Sequence, residues 1–208
     1  MLEIIHELYA VRIHNSIPDE LVQEFKQDIN YDGLLKSEDF DVWNQPNPVA
    51  PSSLKLFKYI NNMLNPYGLG IENVDYFVWP FINKERFTIH VDALHDLYNH
   101  VQGQLFPVNA RVNFPIHSAN STMEWYDKQD IKPTITRSDT SHYFEFDKKD
   151  ETVIPIYSIS AATPLIVNAS IPHTINLNNS TTDRFTISGR IRKNLPFAEI
   201  INRIRAHV

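Results

Sequence analysis

A chain of 208 residues that is 42% hydrophobic and 21% charged, with only 5 glycines, suits one folded domain with a substantial core and excludes a disordered or fibrous protein. It has no cysteine, which removes disulfides, thiolate metal sites and thiol nucleophiles together; any metal must be held by His, Asp or Glu. The net charge of −6 argues against broad attraction to nucleic acid, which rests on a basic surface.

The opening run MLEIIHELYAV carries Glu3 and Glu7 and no basic leader, so it does not read as a secretory signal. No apolar run reaches membrane-spanning length, and a cytoplasmic protein is the expectation. The Asn-X-Ser/Thr sequons at Asn120, Asn168, Asn178 and Asn179 then read as chance matches. From Ile17 to about Gly70 the texture is helical. Ser16-Ile17-Pro18-Asp19-Glu20 is a helix start, and Leu21, Val22, Phe25 and Ile29 share one face. After Pro51-Ser52-Ser53, a second helix is expected on Leu54, Leu56, Phe57, Ile60 and Met63.

From Val74 the chain changes to short β-branched and aromatic runs punctuated by Asn, Asp, Pro and Ser, the pattern of antiparallel strands. Strands are predicted near 74–82, 86–92, 110–117, 122–127, 142–147, 152–159, 163–168, 171–177 and 184–192. Pro196 then opens a closing amphipathic helix on Phe197, Ile200, Ile201 and Ile204. The basic residues Arg190, Arg192, Lys193, Arg203 and Arg205 read as a solvated face. The expected fold is mainly β (α+β), a jelly roll or β-sandwich buttressed by helices: one domain over 1–208, with helical support in 1–73, a β core in 74–192 and a helical end in 193–208.

The chemistry concentrates in two strands. FTIHVDAL places His90 and Asp92 two apart, so that imidazole and carboxylate project from one strand face. Such a pair is common and assigns no metal by itself. Further on, PLIVNASIPHTINLNNSTTDRFTISGRI offers His173 after a Pro172 turn, with Arg184 eleven residues later and Thr186 two beyond it.

This order, HxD, a distant His, then an Arg followed by a small hydroxyl residue, resembles the Fe(II)- and 2-oxoglutarate-dependent dioxygenase superfamily, whose hydroxylases fold as a double-stranded β-helix. The resemblance covers mainly residues 86–192. It implies that His90, Asp92 and His173 hold Fe(II), that 2-oxoglutarate and O2 are co-substrates, and that Arg184 with Thr186 meets the distal carboxylate of the keto acid. It also implies coupled formation of succinate with oxidation, most commonly hydroxylation, of an organic substrate. Two neutral imidazoles and one carboxylate suit Fe(II) and leave three positions open, and a buried dicarboxylate calls for a guanidinium. Asn113 and Tyr126, on neighbouring strands, are candidates to complete the keto-acid pocket.

The alternation of Arg184, Thr186, Ser188 and Arg190 with Phe185, Ile187 and Ile191 gives that strand one polar face. The polar loop NLNNSTTD suggests a hairpin-like return that brings His173 and Arg184 onto adjacent strands, near the metal. Arg190, roughly 20 Å further along at about 3.3 Å per residue, is then too distant to be the anchor. His95 and His100 are five apart, not the four that a helical zinc motif needs. His6, His14, His117, His142 and His207 have no partner pattern and are read as core, turn or surface residues. The substrate is unassigned: a small molecule, or an amino-acid or peptide side chain. Two alternatives stay open, a non-catalytic jelly-roll or cupin-like binding module and a cupin-type metalloenzyme that does not use 2-oxoglutarate.

Overall fold

A computed structural model describes residues 1–36, 42–44, 50–79, 89–95, 105–117, 120–134, 143–177 and 182–207. In chain order these form β1 (Leu2–His6), β2 (Ala10–Ile13), α1 (Asp19–Asp28), α2 (Tyr31–Lys36), β3 (Val42–Asn44), α3 (Pro51–Leu64), β4 (Asp75–Trp79), β5 (Ile89–His95), β6 (Leu105–Pro107), β7 (Ala110–His117), β8 (Thr122–Trp125), β9 (Ile131–Pro133), β10 (Tyr143–Lys148), β11 (Tyr157–Ser160), β12 (Leu165–Asn168), β13 (His173–Asn176), β14 (Arg184–Arg190) and α4 (Phe197–Arg205). Among the described helices, none is long and apolar enough to cross a membrane.

The strands pair antiparallel into two sheets. The first runs β1-β2-β12-β7-β14-β4-β3; the second runs β11-β8-β13-β5-β10-β9, with β6 beside β5. This is the expected mainly β jelly-roll architecture with helical buttresses. The helical N-terminal third also contributes β1, β2 and β3 to the first sheet. Leu2–His6 carries little alternation to mark it as a strand, and its place is set by cross-strand partners such as Ile13 and Arg12.

Each sheet has two faces with different tasks. On the outer face of the first sheet, Val112 and Phe114 of β7, Phe185 and Ile187 of β14 and Tyr76 and Val78 of β4 pack against the apolar stripes of α1, α3 and α4. The helices form where the sequence spacing puts them because those stripes have this sheet to cover. Pro51 opens α3, and the chain leaves it through Gly68 at φ +63°, a left-handed turn that glycine adopts without strain. Phe25, fully buried on α1 and edge-on to Tyr76 at 5.9 Å, anchors this layer. Phe25→Ala is therefore expected to cost about 3–5 kcal/mol, read as a lowered denaturation midpoint with an unchanged denaturant dependence.

Between the sheets the lining is divided. Tyr9, Met123, Trp125, Leu165, Val167 and Ile175 fill one part with an apolar cluster. The remainder receives the inner faces of β4, β7 and β14: Asp75, Arg111, Asn113, Arg184, Thr186 and Ser188. Asp75, Arg111, Arg184, Thr186 and Ser188 are all buried. From Arg184 to Ser188 the polar side of β14 thus does not face water. Gly189 belongs to its outer, apolar side, where an added Cβ would lie 2.7 Å from the Asn73 carbonyl oxygen; the close approach of the two backbones leaves no room for a side chain.

One expectation about connectivity is corrected. β13 and β14 do not form a hairpin: β13 lies between β8 and β5 in the second sheet, β14 between β7 and β4 in the first. The Asn- and Ser-rich link reads as a turn in either case, and only the sandwich decides that the chain crosses between sheets there. His173 and Arg184 consequently face the interior from opposite walls.

Candidate metal and anion site

β5 presents His90 and Asp92 on one face, as alternation requires. β13 begins at His173, paired directly with His90 on one side and with Trp125 on the other, so all of these share the interior face. The rings of His90 and His173 lie 4.5 Å apart at 55°. One ligand atom from each of His90, Asp92 and His173 falls within 4.8 Å of the others. His90 Nε2 is 3.7 Å from Asp92 Oδ1. The backbone of Asp92 is pinned as well: its N–H donates to the Ala169 carbonyl at 3.2 Å, and its carbonyl accepts from Val108 N–H at 2.9 Å.

Protonation favours a metal. His173 Nδ1 lies 2.8 Å from the Ile171 carbonyl oxygen, which can only accept, so Nδ1 carries the proton and Nε2 keeps its lone pair. Burial, together with the charge of His90, pushes the His173 imidazole down to about 4. Burial pushes the Asp92 carboxyl up, but the Arg111 guanidinium and the two histidines outweigh it and hold the carboxyl below its ordinary value. At neutral pH the group is a neutral imidazole and an ionised carboxylate, the forms in which both bind a dication.

The same shift predicts how the metal-free protein responds to acid. A histidine that is neutral when folded and titrates near 6.5 when unfolded makes the unfolded chain bind more protons between those values, so stability rises with pH there. The contribution of His173 is complete above about 6.5 and is lost as pH falls to about 4, up to about 3 kcal/mol in all. Chelator-treated protein should lose denaturation free energy across this window. His173→Gln should lose measurably less, and equal slopes for the two proteins would refute the assignment.

The second wall supplies the cations. Arg111 on β7 donates from Nε to Asp92 Oδ2 at 2.5 Å and from Nη1 to Asp75 Oδ2 at 2.7 Å. Asp75 Oδ1 accepts from Asn73 Nδ2 at 2.5 Å. The sequence pattern anticipates neither the Arg111–Asp92 contact nor a role for Asp75. The available signal was a carboxylate inside the aromatic run VDYFVW, since a buried Asp in such a strand needs a cationic partner.

Arg184 and Thr186 lie buried on the inner face of β14, opposite the backbone of Trp79 and Phe77. Burial pushes the Arg184 guanidinium down to about 9, which still leaves it a cation at neutral pH. Thr186 Oγ1 is buried with no hydrogen-bond partner among the described residues. Asn113 also faces the interior, where its Oδ1 accepts from Ser188 Oγ at 2.7 Å.

Arg190, not Arg184, is the β14 residue paired with Arg111, and its Nε donates to Asn73 Oδ1 at 3.2 Å. Arg184 therefore stands at the other end of the strand from the Arg111–Asp92 contact, and the expectation that a hairpin holds it beside the triad does not stand. What favours Arg184 is its burial and the unsatisfied hydroxyl on the same face.

Tyr126 does not join this group. Its neighbour Trp125 shares the face of His173, so Tyr126 falls on the outer side of the second sheet. There it packs with Ile89 and Ile131 and donates to Glu124 Oε2 at 2.7 Å. Burial and the Glu124 carboxylate push its phenol well above the ordinary value.

The other histidines have local partners. His14 meets Glu3 at 2.9 Å, His117 Nε2 meets Lys26 at 2.7 Å, His6 makes tilted ring contacts with Tyr9 and Tyr157, and His207 Nδ1 donates to the Arg203 carbonyl at 2.9 Å. His95 belongs to a strand rather than a helix, which removes the zinc-helix alternative, while His100 and His142 lie outside the described residues.

No protein-family model matches the chain, and no curated protein matches it by sequence. Among solved structures the fold is similar to that of HygX from Streptomyces hygroscopicus, crystallised with nickel and 2-oxoglutarate bound. The match has a TM-score of 0.50 and 11% identity, covering 88% of this chain and 81% of that one.

Proposed function

We propose that the protein is a non-haem Fe(II)- and 2-oxoglutarate-dependent oxygenase, a hydroxylase by the commonest outcome of that chemistry. The observation that carries this reading is the convergence of His90, Asp92 and His173 from two adjacent strands onto one interior face, with ligand atoms within 4.8 Å. This donor set is the 2-His-1-carboxylate arrangement that suits Fe(II) and leaves positions open. Bound there, the iron would supply dioxygen activation coupled to decarboxylation of 2-oxoglutarate to succinate.

The chain's own residues account for the remaining needs. His90 and His173 would offer neutral nitrogens and Asp92 one negative charge. Arg184 would pair with the distal carboxylate of 2-oxoglutarate, and Thr186 Oγ1 and Asn113 are available to hydrogen-bond it. Among the described residues, the interior charges of Asp75, Asp92, Arg111 and Arg184 sum to zero, and a dication entering together with a dianionic keto acid adds no net charge, which limits the cost of burying them. The structural neighbour's pairing of a divalent metal with 2-oxoglutarate supports the same reading. The substrate is an organic small molecule or an amino-acid or peptide side chain, which fold and cofactor do not choose between.

The test is anaerobic addition of Fe(II) and then 2-oxoglutarate, followed by visible spectroscopy. A weak charge-transfer band in the green, appearing only with both present, is expected. Metal binding without the band would favour a cupin-type enzyme that does not use 2-oxoglutarate, and no metal binding would favour a binding module. Screening substrates for succinate formation then identifies the reaction.

A further inference from the structure

We propose that Arg111, itself held by Asp75, is a positioning residue that commits Asp92 to offer a single carboxylate oxygen to the metal, and thereby keeps a coordination position open for the chelating keto acid. The proposal rests on reading His90, Asp92 and His173 as the metal ligands.

The two oxygens of Asp92 have different partners. Oδ2 accepts from Arg111 Nε at 2.5 Å, whereas Oδ1 is the oxygen that faces His90 Nε2, at 3.7 Å. With its backbone N–H and carbonyl both bonded, Asp92 is fixed at the main chain and at one oxygen. Arg111 is fixed in turn. Nη1 is bonded to Asp75, whose carboxylate is fully buried and takes Asn73 on its other oxygen. Asn73 Oδ1 also accepts from the backbone N–H and the Nε of Arg190, both at 3.2 Å. The planar guanidinium spans two carboxylates from opposite sheets, a fork that a flexible ammonium does not reproduce.

Stability alone does not account for this chain of buried charges. Replacing a buried ion pair by apolar residues of similar volume is often neutral or stabilising, because desolvation offsets the attraction. The consequence for ligation is specific. A carboxylate free to turn can bind a metal through one oxygen or both, and the second oxygen would take one of the open positions that a facial triad leaves. A 2-oxoglutarate chelate needs two adjacent positions and would compete with it.

The experiment uses the full chain with Co(II) as a spectroscopic probe and compares wild type, Arg111→Met, Arg111→Lys and His173→Ala. Arg111→Met is expected to bind Co(II) with an altered visible ligand-field spectrum and to bind 2-oxoglutarate on the order of 10- to 100-fold more weakly at saturating Co(II), the usual scale for residues that orient a metal ligand. Arg111→Lys should recover part of both properties. A residue that serves only the fold would lower the melting temperature and leave spectrum and 2-oxoglutarate affinity alone. A wild-type spectrum and affinity in Arg111→Met would overturn the proposal; should that variant not fold, the same wild-type result in Arg111→Lys would overturn it equally. His173→Ala separates the premise from the inference. Wild-type Co(II) binding there removes the triad itself, whereas its loss, beside an unperturbed Arg111 variant, removes only the role of Arg111.

Discussion

His173→Ala is expected to lower Fe(II) affinity by about two orders of magnitude or more while the fold survives. In the proposed site the imidazole is one of three ligands, its Nε2 lone pair is freed by the Nδ1 contact with Ile171, and its partners His90 and Asp92 come from a different strand. Structural metal sites contribute about 10–16 kcal/mol over four ligands, so one ligand carries on the order of 3 kcal/mol. His173 is uncharged at neutral pH and its removal leaves no buried charge unpaired, so the metal-free variant should remain folded there. Anaerobic Fe(II) titration of His90→Ala, Asp92→Ala and His173→Ala provides the check. Asp92→Ala carries an added cost, because it leaves Arg111 with Asp75 as its one bonded carboxylate among the described residues; its stability should be measured beside its affinity. Wild-type affinity in the His173 variant would remove the facial-triad assignment.

Arg184→Ala should weaken 2-oxoglutarate binding by about 3–5 kcal/mol at saturating Fe(II), two to four decades in Kd, since in the proposed site it leaves the keto acid's distal carboxylate without its cation. Thr186→Val, which removes one hydrogen bond to a charged group and keeps the shape, should cost about 1.5–3 kcal/mol. Arg190→Ala is the fitting control. Arg190 is half-buried at the other end of β14 and bonded to Asn73, and an effect under about 1 kcal/mol is expected. Arg111→Ala cannot serve as a second peripheral control, because Arg111 is buried and bonded to Asp92. If Arg184→Ala binds 2-oxoglutarate as wild type while Arg190→Ala fails, the anchor has been misassigned; if both bind normally, the oxygenase reading itself is in difficulty.

The sequence by itself determined the parts that depend on short-range periodicity. Spacing two apart put His90 and Asp92 on one strand face, alternation gave β14 a polar side, and the apolar stripes of α1, α3 and α4 marked which faces would be covered. Helices first and short strands after were enough for the jelly-roll class. The ordered set of His90, Asp92, His173, Arg184 and Thr186 was legible as a resemblance because all five lie in recognisable strand runs.

Tertiary structure alone decided which wall each strand joins. A turn-rich link between β13 and β14 has the same local chemistry whether the chain folds back beside itself or crosses to the other sheet. The choice follows from burying two sheet faces against each other, and it separates Arg184 from His173. The side of the sheet on which Tyr126 falls was settled by the pairing of Trp125 with His173, since a one-residue difference in register exchanges inside for outside. The contact of Arg111 with both Asp75 and Asp92 joins residues 36 and 19 positions apart. Nothing in the local pattern of any of the three carries that information; it exists only once the two sheets are packed and a buried charge must find its counterion.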